Sequence, residues 1–135
     1  MFKFLIVDDH HLIISGILNI LQNQYPDMEV YIAKTAEETL NEIEKHQDEL
    51  NFFKLIILDL SIPEKHGITA NIETGIQLIK DLLKKYPSYN FMVQSSYIKA
   101  LVRIKYEIDE HQGGFVIADK GLSEEDMLNR INLAI

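Results

Sequence analysis

Residues 54–60 read KLIILDL, a nearly unbroken apolar run that closes on Asp59. A strand with one wet face alternates apolar and polar residues. A run apolar on both sides suits a central strand of a parallel sheet, covered by helices above and below. Four other stretches read as strands around it: Phe2–Val7 (FKFLIV), Glu29–Ala33 (EVYIA), Asn90–Ser95 (NFMVQS) and Phe115–Ala118. Between them lie helical patterns. Leu12–Leu21 is apolar over a wide face, and Pro26 ends that unit. Thr35 and Glu38 form a capping box that opens a helix with Ala36, Leu40, Ile43 and Leu50 on one face. Ile76, Ile79, Leu82 and Leu83 make a third stripe, closed by Pro87. Tyr97–Ile108 predicts a mixed helix with Leu101, Val102, Ile104 and Ile108 apolar. Ser123 is the expected N-cap of the last helix, with Asp126 at its third position and a Leu122–Met127 staple. Strand and helix alternate five times, which predicts an α/β fold with a parallel sheet.

The chain has 135 residues, enough for one domain with its own core. A single domain over 1–135 is expected. There are no cysteines, which excludes disulfides, thiolate nucleophiles and cysteine-held metal sites. The net charge is −8, which argues against direct binding to nucleic acid or to an anionic membrane. The apolar start, Met1–Val7, is cut off by Asp8-Asp9, too early for a signal peptide. No apolar run approaches a bilayer span, so a cytoplasmic location is expected. The end at Ile135, without a capping glycine, reads as a helix cut short.

Ligands of such sheets bind outside the carboxyl ends of the strands. The strand ends here carry Asp8-Asp9, Asp59, Ser95-Ser96 and Asp119-Lys120. Converging carboxylates repel one another and call for a hard divalent cation. A hydroxyl and an ammonium beside that cation would hold an oxyanion such as a phosphoryl group, and an aspartate can accept one covalently.

These pieces resemble the receiver domain of two-component response regulators over essentially the whole chain. The resemblance is carried by LIVDDH (5–10), LIILDLSIPEKHG (55–67), Ser95 and Lys120. It implies a flavodoxin-like, doubly wound (βα)5 fold with strand order 2-1-3-4-5. It implies that Asp59 is the phosphoryl acceptor. Asp8, Asp9, Asp59 and the backbone carbonyl of Ser61 would bind Mg²⁺, for which Mn²⁺ can substitute. Ser95 and Lys120 would bind the phosphoryl group, Phe115 would be the switch aromatic, and Ser61 and Tyr97 would tune the lifetime of the phosphate. The implied donor is a histidine kinase or a phosphotransfer protein. A homodimer through the fourth helix, fifth strand and fifth helix is a further expectation. The opening VDDHHLIISG is most like regulators with a C-terminal helix-turn-helix output domain, which would make the whole protein a transcription regulator. Beyond slow self-phosphorylation and autodephosphorylation, no enzyme activity is expected.

The chain departs from the family pattern twice. Gly67-Ile68 is followed by a second Gly75-Ile76, so Ile68–Gly75 reads as an insertion: a lid, a partner surface or a passive surface segment. Phe115 lies five residues before Lys120 rather than three. A longer strand or a bulge would be needed to bring the lysine to the site. His10 and His11 adjoin the acids but diverge on a helix, so they read as surface residues at its start. His46, His66 and His111 show no ligand spacing, and Lys80, Lys84 and Lys85 read as a solvated face. Two other functions are weighed. One is a pseudo-receiver that binds partners without phosphorylation. The other is a Mg²⁺-dependent aspartyl-nucleophile phosphatase, which would want an acid where Ser61 stands. A flavin or nucleotide carrier is disfavoured, because DDHHLIISG offers no glycine-rich phosphate cradle.

Overall fold

The computed structural model describes residues 1–135. The elements run β1 (Lys3–Val7), α1 (His11–Gln24), β2 (Glu29–Ala33), α2 (Ala36–Lys45), β3 (Leu55–Leu58), α3 (Ile72–Lys85) and β4 (Phe91–Ser95). A 3-10 helix (Ile98–Ile104), α4 (Lys105–Glu110), β5 (Phe115–Asp119) and α5 (Glu124–Ala134) complete the chain. All strand pairs are parallel, in the order β2-β1-β3-β4-β5, so the expected flavodoxin-like winding is present. The winding reverses between β1 and β3, and the crevice of such a sheet opens there.

The apolar run of β3 is buried on both faces, and the period of two sorts it. Leu5, Val7, Ile56, Leu58, Phe91 and Val93 pack on the side of α2, α3 and the 3-10 helix. Phe4, Ile6, Leu55, Ile57 and Met92 pack on the side of α1 and α5. The caps form as the sequence predicts. Thr35 Oγ1 accepts from the Glu38 amide, and Ser123 Oγ accepts from the Asp126 amide. Leu122 and Met127 meet in the second core.

Three expectations are corrected. α2 ends at Lys45, and Leu50 lies outside it, 82% exposed. The chain turns back so that Phe52 stacks on His46 at 3.8 Å and Phe53 enters the core beside Tyr31. Aromatic packing thus fills the place that Leu50 was expected to take.

The fourth helical unit is not one α-helix. Its first seven residues wind as a 3-10 helix. Ile98, Leu101 and Ile104 recur every three residues, which matches a three-residue turn rather than 3.6. Leu101 and Ile104 are buried by that winding, while Val102 is left exposed.

The segment Ile68–Gly75 is not a free-standing lid. Asn71 bridges back to Ile62 and caps α3, its Oδ1 accepting from the Glu73 amide at 2.8 Å. Ile72–Gly75 is therefore the first turn of α3. Gly75 is there because a side chain would not fit. A Cβ at this position would stand 1.8 Å from the carbonyl oxygen of Leu60, the residue after Asp59.

Gly75→Ala should destabilise the fold by about 2–4 kcal/mol, because the obstacle is backbone and cannot rotate away. The matched control is Gly16→Ala in α1, where a Cβ meets nothing within 4 Å. That change should stabilise by about 0.5–1 kcal/mol through helix propensity. Urea unfolding of both variants checks the pair. Equal stability of the two would refute the close approach of α3 to Leu60.

Candidate functional site

The sheet's own ladder builds the site. The Asp8 amide donates to Ala33 O at 3.1 Å, and the Asp59 amide donates to Val7 O at 2.9 Å. Each acid thus stands one residue past the end of an adjacent strand, at the point where the winding reverses. Both are only 2% exposed. Asp9 follows on the open side. One oxygen or nitrogen from each of Asp8, Asp9, His10 and Asp59 falls within 4.8 Å of all the others.

Burial pushes the Asp8 carboxyl above its ordinary value, the Asp59 charge adds to this, and the hydrogen bonds from His10 and the charge of Lys120 oppose it. A buried acid held against a second acid is a site that lacks positive charge. Three carboxylates this close are a hard-oxygen donor set, which fits a small divalent cation.

Lys120 reaches the site. Its Nζ donates to Asp59 Oδ2 at 2.8 Å. No bulge is needed. β5 pairs with β4 in continuous register from Phe91↔Phe115 to Ser95↔Asp119. It is one residue longer than expected, and Lys120 follows at the rim.

That register also corrects the expectation for Phe115. The ring lies at the first residue of β5, opposite Phe91, at the far end of the strand from the site. It packs into the first core. Ile117 occupies the position three residues before Lys120.

Ser95 is fully buried at the end of β4, where its Oγ accepts from the Tyr97 amide at 2.9 Å. Tyr97 itself is 52% exposed. The Ser61 amide donates to Asp59 Oδ1 at 3.3 Å, so both carboxylate oxygens of Asp59 have partners.

His10, read from the sequence as a surface residue at the helix start, is half-exposed as expected, and its ring also lies against the acids. Its Nδ1 lies 2.7 Å from Asp8 Oδ1, 3.4 Å from Asp9 Oδ1 and 3.4 Å from Asp59 Oδ2. The divergence argument holds for the pair, since His11 faces solvent. It did not say which of the two would lie against the acids. The missing signal was that His10 caps α1 with extended backbone, and its amide donates to Asp8 Oδ1.

A further ion pair ties α3 to the 3-10 helix. Arg103 grips Glu73 with two hydrogen bonds, at 2.6 and 2.5 Å, which hold the Glu73 carboxyl below its usual range.

No helix is long and apolar enough to cross a membrane. The response regulator receiver domain model matches residues 4–132. YhcZ of Bacillus subtilis (strain 168), described as an uncharacterized transcriptional regulatory protein, is 34% identical over 96 residues, which is 70% of this chain and 38% of that protein. The transcriptional regulatory protein HptR of Staphylococcus aureus (strain NCTC 8325 / PS 47) is 36% identical over 94 residues, 68% of this chain and 35% of its own length. This chain thus spans well under half of either relative. Among solved structures, the CheY-like response regulator receiver domain protein from Methanospirillum hungatei JF-1 superposes with a TM-score of 0.69 at 25% identity, over 98% of this chain and 91% of that one. A match that begins in β1 and ends in α5 takes in the sheet, both helical layers and the acid cluster together, and this chain belongs to the response regulator receiver domain family.

Proposed function

We propose that this chain is the phosphoacceptor part of a two-component regulator, and that Asp59 takes a phosphoryl group from a histidine kinase or a phosphotransfer protein. The observation that carries this reading is the Lys120–Asp59 contact at a buried carboxylate inside the acid cluster. In the step, an Asp59 oxygen forms a bond to phosphorus. The phosphorus–nitrogen bond of the donor's phosphohistidine breaks, and its electron pair leaves with the imidazole.

Asp8, Asp9, Asp59 and the Ser61 carbonyl would hold Mg²⁺ or Mn²⁺, which would offset the charge of the incoming group. Lys120 then follows its partner carboxylate onto the phosphoryl oxygens. Ser95 exchanges the Tyr97 amide for one of those oxygens, which frees the turn leading to the 3-10 helix. Ser61 and Tyr97, two residues beyond Asp59 and Ser95, screen the new acyl phosphate from water. Phe115 has no part in this step, because it stands at the other end of β5.

The changed surface is the 3-10 helix, α4, β5 and α5, where Val102 and Tyr106 are exposed, and a second copy or an output domain is its proposed reader. Relatives that are transcriptional regulators, and of which this chain spans under half, support an output region that binds DNA in the whole protein. The ground for a pseudo-receiver, a lysine out of reach, falls away with the Lys120 contact.

Incubation with acetyl phosphate and Mg²⁺ should add one base-labile phosphoryl group, read by intact mass. Asp59→Asn should abolish the adduct. An adduct that persists in that variant refutes Asp59 as the acceptor.

Lys120→Ala should slow uptake about tenfold or more, since it removes the charge that faces the reacting oxygens. An unchanged rate would show that the lysine contact has no part in the transfer.

Asp8 yields a pH-dependent prediction for the metal-free protein. Its raised carboxyl holds a proton in the folded state to higher pH than in the unfolded chain, whose ordinary value is 3.8. Stability is therefore lost as pH rises from that value through the raised one. Asp8→Asn carries no such penalty, so in a chelator its Tm at neutral pH should exceed the wild type by roughly 2–6 °C. The gap should close in acid. A gap of the same size at every pH would assign the effect to packing instead.

A further inference from the structure

Beyond the oxygen ligands of the reading above, and resting on it, we infer that His10 is a nitrogen ligand of the same ion, so that this site favours a nitrogen-accepting transition ion over Mg²⁺.

The imidazole is placed by the turn rather than by chance. His10 has extended backbone, and its amide is anchored on Asp8 Oδ1 at 2.8 Å. The ring then folds back over the acids, and α1 starts only at His11. Nδ1 lies 2.7, 3.4 and 3.4 Å from one oxygen each of Asp8, Asp9 and Asp59.

Neighbouring ligand atoms of an octahedral ion with bonds of about 2.1 Å stand about 3 Å apart. The three Nδ1–oxygen distances bracket that spacing, and all four donor atoms lie within 4.8 Å of one another. With the ring proton on Nε2, the Nδ1 lone pair becomes the fourth donor, beside three hard oxygens.

The donor set decides the metal. Carboxylates, carbonyls and water suit Mg²⁺, which takes nitrogen ligands reluctantly. Imidazole suits the first-row ions from Fe²⁺ to Zn²⁺. Three carboxylates and an imidazole together fit Co²⁺-like ions better than they fit Mg²⁺. His11, exposed on α1, does not share the site, so the discrimination rests on a single ring.

The test compares binding of Mg²⁺ and of Co²⁺ by calorimetry, with the full chain at about pH 8, where free imidazole is neutral. His10→Ala should weaken Co²⁺ binding about tenfold or more and change Mg²⁺ binding by less than about threefold. His11→Ala should change neither. An equal ratio of the two affinities in wild type and His10→Ala would overturn the inference while leaving the oxygen site intact. No binding of either ion to the wild type would overturn both this inference and the metal site it rests on.

A second measurement needs no variant. With one equivalent of Co²⁺ bound to the wild type, the ring protons of His10 should carry the largest paramagnetic shifts among the five histidines. A His10 ring left in its ordinary range would overturn the assignment.

Discussion

Everything at the rim follows from one constraint. Two hydrogen bonds of the parallel ladder, Asp8 N to Ala33 O and Asp59 N to Val7 O, fix two acids past the ends of adjacent central strands. A one-residue shift of this pairing would exchange the side chains that β1 and β3 send into the two cores and would carry the acids off the rim. The core therefore holds the two like charges together against their repulsion. Polar groups gather around the acids in response: Lys120 from β5 on Asp59, the His10 ring from the turn before α1 beside Asp8, and the Ser61 amide on the other oxygen of Asp59. The site is a local electrostatic imbalance sustained by the packing of the sheet.

Much of this could be read in the sequence because the relevant signals are short-ranged. Short, nearly continuous apolar runs gave five strands. Hydroxyl caps gave the starts of α2 and α5. Acids at strand ends gave Asp8, Asp9 and Asp59 as a group. Lys120 was named, but its reach was not settled, since the length of β5 depends on its pairing with β4 rather than on its own residues. Phe115 was assigned by resemblance, although it lies five residues before Lys120 rather than three. Pairing puts it at the wrong end of the strand.

The other misses have the same origin. Leu50 fitted the face of α2 by periodicity, but stacking of His46 on Phe52 ends the helix first. His10 is at the surface as read, but its contact with the acids was missed because side-chain direction at a helix start is set by capping geometry, which neighbouring residues in sequence do not reveal. Ile68–Gly75 reads as an insertion because it lies between two Gly-Ile pairs, and what that spacing did not show was its internal structure. In the fold its second half is helix, and Gly75 serves the close approach to Leu60.

The 3-10 winding of Ile98–Ile104 has a mechanical consequence. Seven residues at about 2.0 Å each span about 14 Å, whereas the same residues wound as α-helix would span about 10.5 Å. The connection from Ser95 to Lys105 is thus stretched by about 3.5 Å relative to its α-wound length. Rewinding would also rotate the three-residue apolar stripe off the sheet. Wound as α-helix, the segment that leaves the buried serine would be shorter by that amount and would present a different set of side chains to the outside.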